Sequence, residues 1–290
     1  MWKLLSSMYA ASVAGARARL GSTAALYGAH ALFGLTYTVF AAMYLASVYA
    51  THPLFDRGVG GDVMALATAL IEGRGVISAL VWSGVALALA YFVVSEYLTG
   101  GLLERLRDGE SVSPAEARRR FGAGAAAHLG RFLRVWLWSW LLWVPALIAL
   151  GVGVAVGSRG MSEAIDTGPV VSKLLSSILP GLLLAGLAAA AGDYARWLAV
   201  REPTLAPRRA FFRAVKLVVT RPVSLVHFVS YVAAWLLLSG LYVLLTAGHP
   251  YAGAAGAWLL FVLRQLLVFA RITLRVGAFA GQEVLLDAKD

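Results

Sequence analysis

The sequence predicts an all-α integral membrane protein with six transmembrane helices. They form three parallel two-span repeats, each preceded by a cytoplasmic amphipathic surface helix. Three observations lead there: composition, the length of the apolar runs, and weak internal repetition. Of 290 residues, 60% are hydrophobic and only 14% are charged, with a mean hydropathy of +0.76. A soluble domain carries roughly 25% charged residues, so too few charges are present to cover a water-facing surface. Lipid is the expected solvent, which excludes a cytosolic enzyme, a secreted disulfide scaffold and a disordered tail.

A hydrocarbon core about 30 Å thick needs roughly 20 apolar residues in helix. Six runs qualify, near 24–50, 76–103, 132–157, 171–200, 222–247 and 254–286. Met1–Leu20 is broken by Ser6, Ser7, Arg17 and Arg19. It reads as a surface helix with Trp2, Leu5, Tyr9 and Val13 toward lipid, not as a cleavable signal. Between spans one and two, Val63, Leu66, Ala67, Leu70 and Ile71 form an amphipathic pattern, predicting a short outer-leaflet helix within 51–75.

Orientation follows from the cations in short loops. Seven lie between spans two and three, from Arg105 to Arg134, and seven between spans four and five, from Arg196 to Arg221. The other side carries only Arg57, Arg74, Arg159 and Lys173. Both termini are therefore expected in the cytoplasm, and the protein in a bacterial-type inner membrane.

The repeats are short. Ala16-Arg17-Ala18-Arg19-Leu20-Gly21 matches Ala117-Arg118-Arg119-Arg120-Phe121-Gly122 at an offset of 101, and Pro207-Arg208-Arg209-Ala210-Phe211-Phe212 follows 90 residues later. The acids ending the even spans, Glu96, Asp193 and Glu283, are 97 and 90 residues apart. Fixed-period similarity of this kind divides the chain into units 1–110, 111–203 and 204–290, and parallel copies can surround an axis along the membrane normal.

Three two-span repeats are also the layout of mitochondrial carriers. Their Pro-x-acid-x-x-base pattern appears here once, as Pro114-Ala115-Glu116-Ala117-Arg118-Arg119, in a cytoplasmic segment, so that function does not carry over. Asp193-Tyr194-Ala195-Arg196 ends span four, and Arg208-Arg209-Ala210-Phe211 opens the next surface helix. Together they resemble bacterial six-span proteins related to the membrane domain of glycerophosphodiester phosphodiesterases, over about the last hundred residues. The resemblance implies a membrane module separate from any catalytic barrel.

Ionisable groups inside a bilayer read first as functional. In span six, Arg264, Arg271 and Arg275, followed by Gln282, step by 7, 4 and 7 and share one helical stripe. Arg264 lies ten residues past Ala254, about 15 Å along the helix at 1.5 Å per residue. It is expected to face the bundle or a hydrated cavity. Glu96 and Asp193 belong at a depth close to that of Arg271 and Arg275, and Arg196 and Glu283 complete the candidate set. Two readings remain open: an ion-pair network locking the helix pairs, or an anion or lipid-headgroup site with bidentate arginines. The acids available to neutralise the stripe favour the first.

Other chemistry is poorly represented. The absence of cysteine excludes disulfides, iron–sulfur clusters and thiolates. His30, His128 and His227 have no partner at metal-site spacing, so no metal or cofactor is expected. Nor is there a Gly-x-Ser-x-Gly elbow or a phosphate loop. Despite a net charge of +10, no basic tract indicates nucleic acid. Trp136, Trp140 and Trp143 share a face in span three, with Trp138 pointing away, and are expected to pack against span four or lipid. The expected function is a non-catalytic scaffold or accessory subunit that contacts acidic headgroups on the cytoplasmic side and a membrane protein partner. The alternative is a transporter of an anionic or amphiphilic substrate.

Overall fold

The computed structural model describes residues 2–49, 72–108, 113–159, 167–246 and 253–288, with positions 64 and 68. All regular structure among them is helical. The eight helices are α1 (Trp2–Ala18), α2 (Leu20–Tyr49), α3 (Arg74–Asp108), α4 (Pro114–Gly157), α5 (Thr167–Arg201), α6 (Pro207–Thr220), α7 (Pro222–Thr246) and α8 (Gly253–Asp287). Six of these, α2, α3, α4, α5, α7 and α8, are long and apolar enough to cross a membrane, the mark of a multi-pass membrane protein. The expected outer-leaflet helix within 51–75 lies almost wholly outside the described residues.

Local sequence explains where helices start and stop. α4 opens with Ser113 as its N-cap, the side chain accepting from the Glu116 amide at 3.3 Å, and with Pro114 in the first turn. Both choices suit a helix start, where a hydroxyl satisfies an orphan amide and proline loses nothing. α6 stops at Arg221, whose backbone is extended (φ −115, ψ 93) because Pro222 follows. No such stop lies between the Arg118–Arg120 stretch and span three. The expected surface helix and that span are therefore one 44-residue helix.

The chain divides into two compact units. The smaller, Ala24–Ser95, pairs the body of α2 with most of α3. There the His30 ring nitrogen Nδ1 meets the Tyr91 hydroxyl at 3.1 Å, and the Tyr37 hydroxyl donates to the Leu80 carbonyl at 3.3 Å.

The larger unit comprises Met1–Thr23 and Glu96–Asp290. Its packed core lies toward one end of its helices, the end rich in arginine. α5 contributes Ala190, Ala191, Tyr194 and Leu198, α1 contributes Leu5 and Met8, and α6 contributes Ala210, Phe211, Ala214 and Val218. The buried set on α6 recurs at helical spacing, so its apolar stripe faces protein while Arg208, Arg209, Arg213 and Lys216 face outward. Leu5 departs from the sequence expectation. It is buried in the core, whereas Trp2 and Val13 on the same helix are exposed. Leu5, Met8 and Ser12 define the packed stripe of α1, which a pattern of apolar residues alone does not separate from a lipid-facing one.

Candidate functional site

The charged residues of the larger unit form three arrangements; those predicted from sequence are the members of the first, the arginine stripe on α8 and Glu283. The first is a buried ion-pair network. Arg196 on α5 donates from Nε and Nη2 to both carboxylate oxygens of Glu96 on α3, at 2.8 and 2.6 Å. Its Nη1 donates to Asp193 at 3.0 Å. Side-chain exposures are 11% for Arg196, 6% for Glu96 and 20% for Asp193, so one guanidinium holds two carboxylates away from solvent. Such bidentate pairing is strong and directional. It also fixes the Glu96 region of α3 against the second half of α5.

The arginine stripe on α8 is less gathered. Arg264, Arg271 and Arg275 are all exposed. Arg271 stacks over the Trp235 ring of α7 at 5.0 Å, and Arg275 over Phe279 of its own helix at 5.5 Å. Arg275 is also within Coulombic reach of Asp193, and so borders the network. Glu283, half-buried, lies away from this group among Arg19, Arg107 and Arg201. Beside it, burial and the neighbouring Arg105 charge pull the Arg19 guanidinium below its ordinary pKa. The three repeated acids therefore do not close into one ring. Glu96 and Asp193 share an arginine, and Glu283 has other partners.

The second arrangement uses arginines as helix caps. From α4, Arg131 donates to the carbonyls of Ala199, Glu202 and Leu205, the last two at 2.9 and 2.8 Å. Arg107 donates to the Val200 carbonyl at 3.1 Å. The Arg221 guanidinium points its Nη1 at the carbonyls of Leu285 and Ala288, each at 3.4 Å. The last carbonyls of a helix lack intrahelical donors and carry partial negative charge, so cations there satisfy both needs.

The third arrangement is a cleft of about 750 Å³ between the end of α5, α6 and the end of α8. Arg201, Glu202, Arg213, Lys216, Thr220 and Arg221 line it. Arg201 is paired with Asp287, and Arg213 with Glu202 at 2.6 Å. Sequence reasoning counted these cations for orientation but did not join them into a site. A signal was present, because Arg209, Arg213, Lys216 and Thr220 step by 4, 3 and 4 along one helix face.

The three histidines each find a polar group on another helix. His128 Nε2 lies 3.0 Å from Glu104. His227 is fully buried, with Nε2 3.4 Å from the Ser12 hydroxyl and its ring 4.9 Å from that of Tyr231. Gly281 permits this approach, since a side-chain carbon there would lie 2.3 Å from the Ser12 oxygen. Ser12 donates to the Met8 carbonyl at 2.8 Å, leaving His227 as a donor to it. In the tryptophan group, Trp136 meets Trp140 edge-on at 5.4 Å, while Trp138 contacts Phe212 and lies under Arg208.

No family model matches the chain, and no curated protein or solved structure matches it.

Proposed function

We propose that the chain is a non-catalytic component of a bacterial-type cytoplasmic membrane, a scaffold or accessory subunit that contacts lipid and a protein partner. The observation that carries the reading is how the interior charges are used. Arg196 is occupied by Glu96 and Asp193, and Arg131 by three backbone carbonyls. Groups spent on each other hold helices in register, whereas a transport path or active site leaves polar groups turned toward substrate or water.

The arginine-rich end faces the cytoplasm in this reading, following the bias of basic residues toward that side. Three parallel two-span units, each opening with a basic helical stretch, supply the frame in this reading. The resemblance of the Asp193–Arg196 and Arg208–Phe211 stretches to six-span phosphodiesterase membrane domains fits a module distinct from catalysis. The test is purification into nanodiscs directly from native membrane, followed by native mass spectrometry. The subunit reading expects a second polypeptide at fixed stoichiometry. A particle of this chain and phospholipid alone contradicts it.

A second reading, transport of an anionic or amphiphilic substrate, is favoured by one observation. Arg264 is exposed on α8 near the middle of its apolar run, where lipid contact is costly. Anion flux in liposomes that falls with Arg264→Ala would support transport. Absence of flux through the unmodified chain would remove it.

A further inference from the structure

We infer that the cleft between α5, α6 and α8 is a binding site for a phosphate-bearing anion, supplied by an acidic phospholipid headgroup or by a soluble phosphate compound. The inference deepens the lipid contact in the function proposed above and rests on that reading. Its volume of about 750 Å³ lies within the roughly 300–1,000 Å³ typical of small-ligand sites.

The charge balance is the first argument. Four cations, Arg201, Arg213, Lys216 and Arg221, line the cleft against one carboxylate, Glu202. Arg221 is spent on the end of α8. The other three remain able to meet an anion. Lys216 makes no ion pair among the described residues and is exposed. Arg201 keeps a buried Nη1 for which no described residue is a hydrogen-bond partner, even though its Nη2 pairs with Asp287.

The second argument is how weakly the present partners hold. The Arg213–Glu202 side chains are 55% and 41% exposed, and Asp287 is 60% exposed. Exposed pairs of this kind contribute little because water screens them. They position the guanidinium groups without consuming them. A phosphate, with several acceptor oxygens and up to two charges, matches the forked donors of Arg201 and Arg213 and the point charge of Lys216 better than one carboxylate does.

The third argument concerns surroundings. The cleft is floored by Leu198, Leu217 and Leu286. Val219, Leu225 and Val226, on α6 and the start of α7, are exposed apolar residues. A cation cluster over an apolar floor is the arrangement that receives an amphiphile with an acidic head.

The experiment uses the full chain in detergent. Phosphatidylglycerol and phosphatidylcholine are titrated separately and read by native mass spectrometry. Inorganic pyrophosphate is titrated by calorimetry. The joint variant Arg213→Gln/Lys216→Gln changes two exposed positions, and an unchanged thermal midpoint confirms that it folds. It is expected to lose binding by roughly tenfold or more, equivalent to about 1.4 kcal/mol. Glu202→Gln removes the competing carboxylate and is expected to tighten binding several-fold. Arg118→Gln, an exposed cation outside the cleft, is expected to leave it unchanged. Variant-sensitive binding of phosphatidylglycerol that pyrophosphate does not displace assigns the site to lipid. Variant-sensitive binding of pyrophosphate assigns it to a soluble phosphate compound. Binding of neither probe by the unmodified chain, or equal binding by the joint variant, overturns the inference. Either result leaves the polypeptide stoichiometry in nanodiscs unaffected, so the subunit reading fails or stands separately.

Discussion

The first half of α5 is rich in leucine and the second in alanine, and the two are used in opposite ways. In the first half, Leu175 and Leu183 are 58% and 66% exposed, while in the second Ala190, Tyr194 and Trp197 are fully buried. Neighbouring helices of the larger unit repeat the contrast. α7 buries Val223, Ser224 and His227 in its first turns, and α8 buries Val276, Phe279 and Gln282 in its last. The lesson concerns the driving force. Apolar side chains gain little by leaving lipid for each other, so membrane helices associate through close packing and polar contacts. The arginine-rich end has both, in small residues and in ion pairs. The opposite end leaves its leucines for lipid, apart from one tight seam between α4 and α5.

Predictions for the protein in detergent sharpen or break that contrast. The largest effect is expected where the packed half loses volume. Trp197 is fully buried and donates from its indole nitrogen to the Phe279 carbonyl at 3.0 Å. Trp197→Ala is expected to destabilise by about 3–5 kcal/mol, read as a lowered thermal midpoint. Trp258, 67% exposed at the opposite end of α8, is the matched control, and its change to alanine is expected to stay within about 0.5 kcal/mol. Equal losses at the two tryptophans would erase the distinction between the halves.

A smaller loss is expected at the seam. A side-chain carbon on Gly153 would lie 2.3 Å from the Ser177 carbonyl oxygen, with backbone that cannot easily give way. Gly153→Val is expected to cost about 1–3 kcal/mol by overpacking. An unchanged midpoint would show that α4 and α5 separate in this region. The smallest effect belongs to Leu183→Ala, expected within about 0.5 kcal/mol because no cavity forms at an exposed position. A loss above 1 kcal/mol would place a protein contact there.

Particular residues show how much of this could be read from sequence. The six spans were legible because bilayer thickness sets the length of an apolar run. The end of α6 was legible in Pro222. Glu96, Asp193 and Arg196 were singled out because ionised groups near span ends need partners, and the structure joins those three. The stripe spacing of Arg264, Arg271 and Arg275 holds in α8, but periodicity names a face without naming what lies opposite. Nothing in sequence marked Trp235 as the ring beneath Arg271. The Arg131 cap was equally hidden, since its acceptors are backbone carbonyls, which every residue carries. The Ser12–His227 contact spans 215 positions and follows no local pattern. The separation of Glu283 from the other two acids depends on helix placement that repeat spacing does not encode.

The central claim is that the buried network of Glu96, Asp193 and Arg196 serves structure. A double-mutant cycle on Glu96 and Arg196 tests it most directly, with Glu96→Gln, Arg196→Gln and the pair compared by unfolding in one detergent. Arg196→Gln leaves Glu96 and Asp193 buried without a counter-charge and is expected to cost about 3–5 kcal/mol, whereas Glu96→Gln leaves Arg196 paired with Asp193 and is expected to cost less. The double change is expected to cost less than the sum by at least about 1.5 kcal/mol, well beyond the ~0.5 kcal/mol tolerance for independent sites. Additive losses within that tolerance would mean that the two residues act independently, and the network would no longer be the lock between α3 and α5.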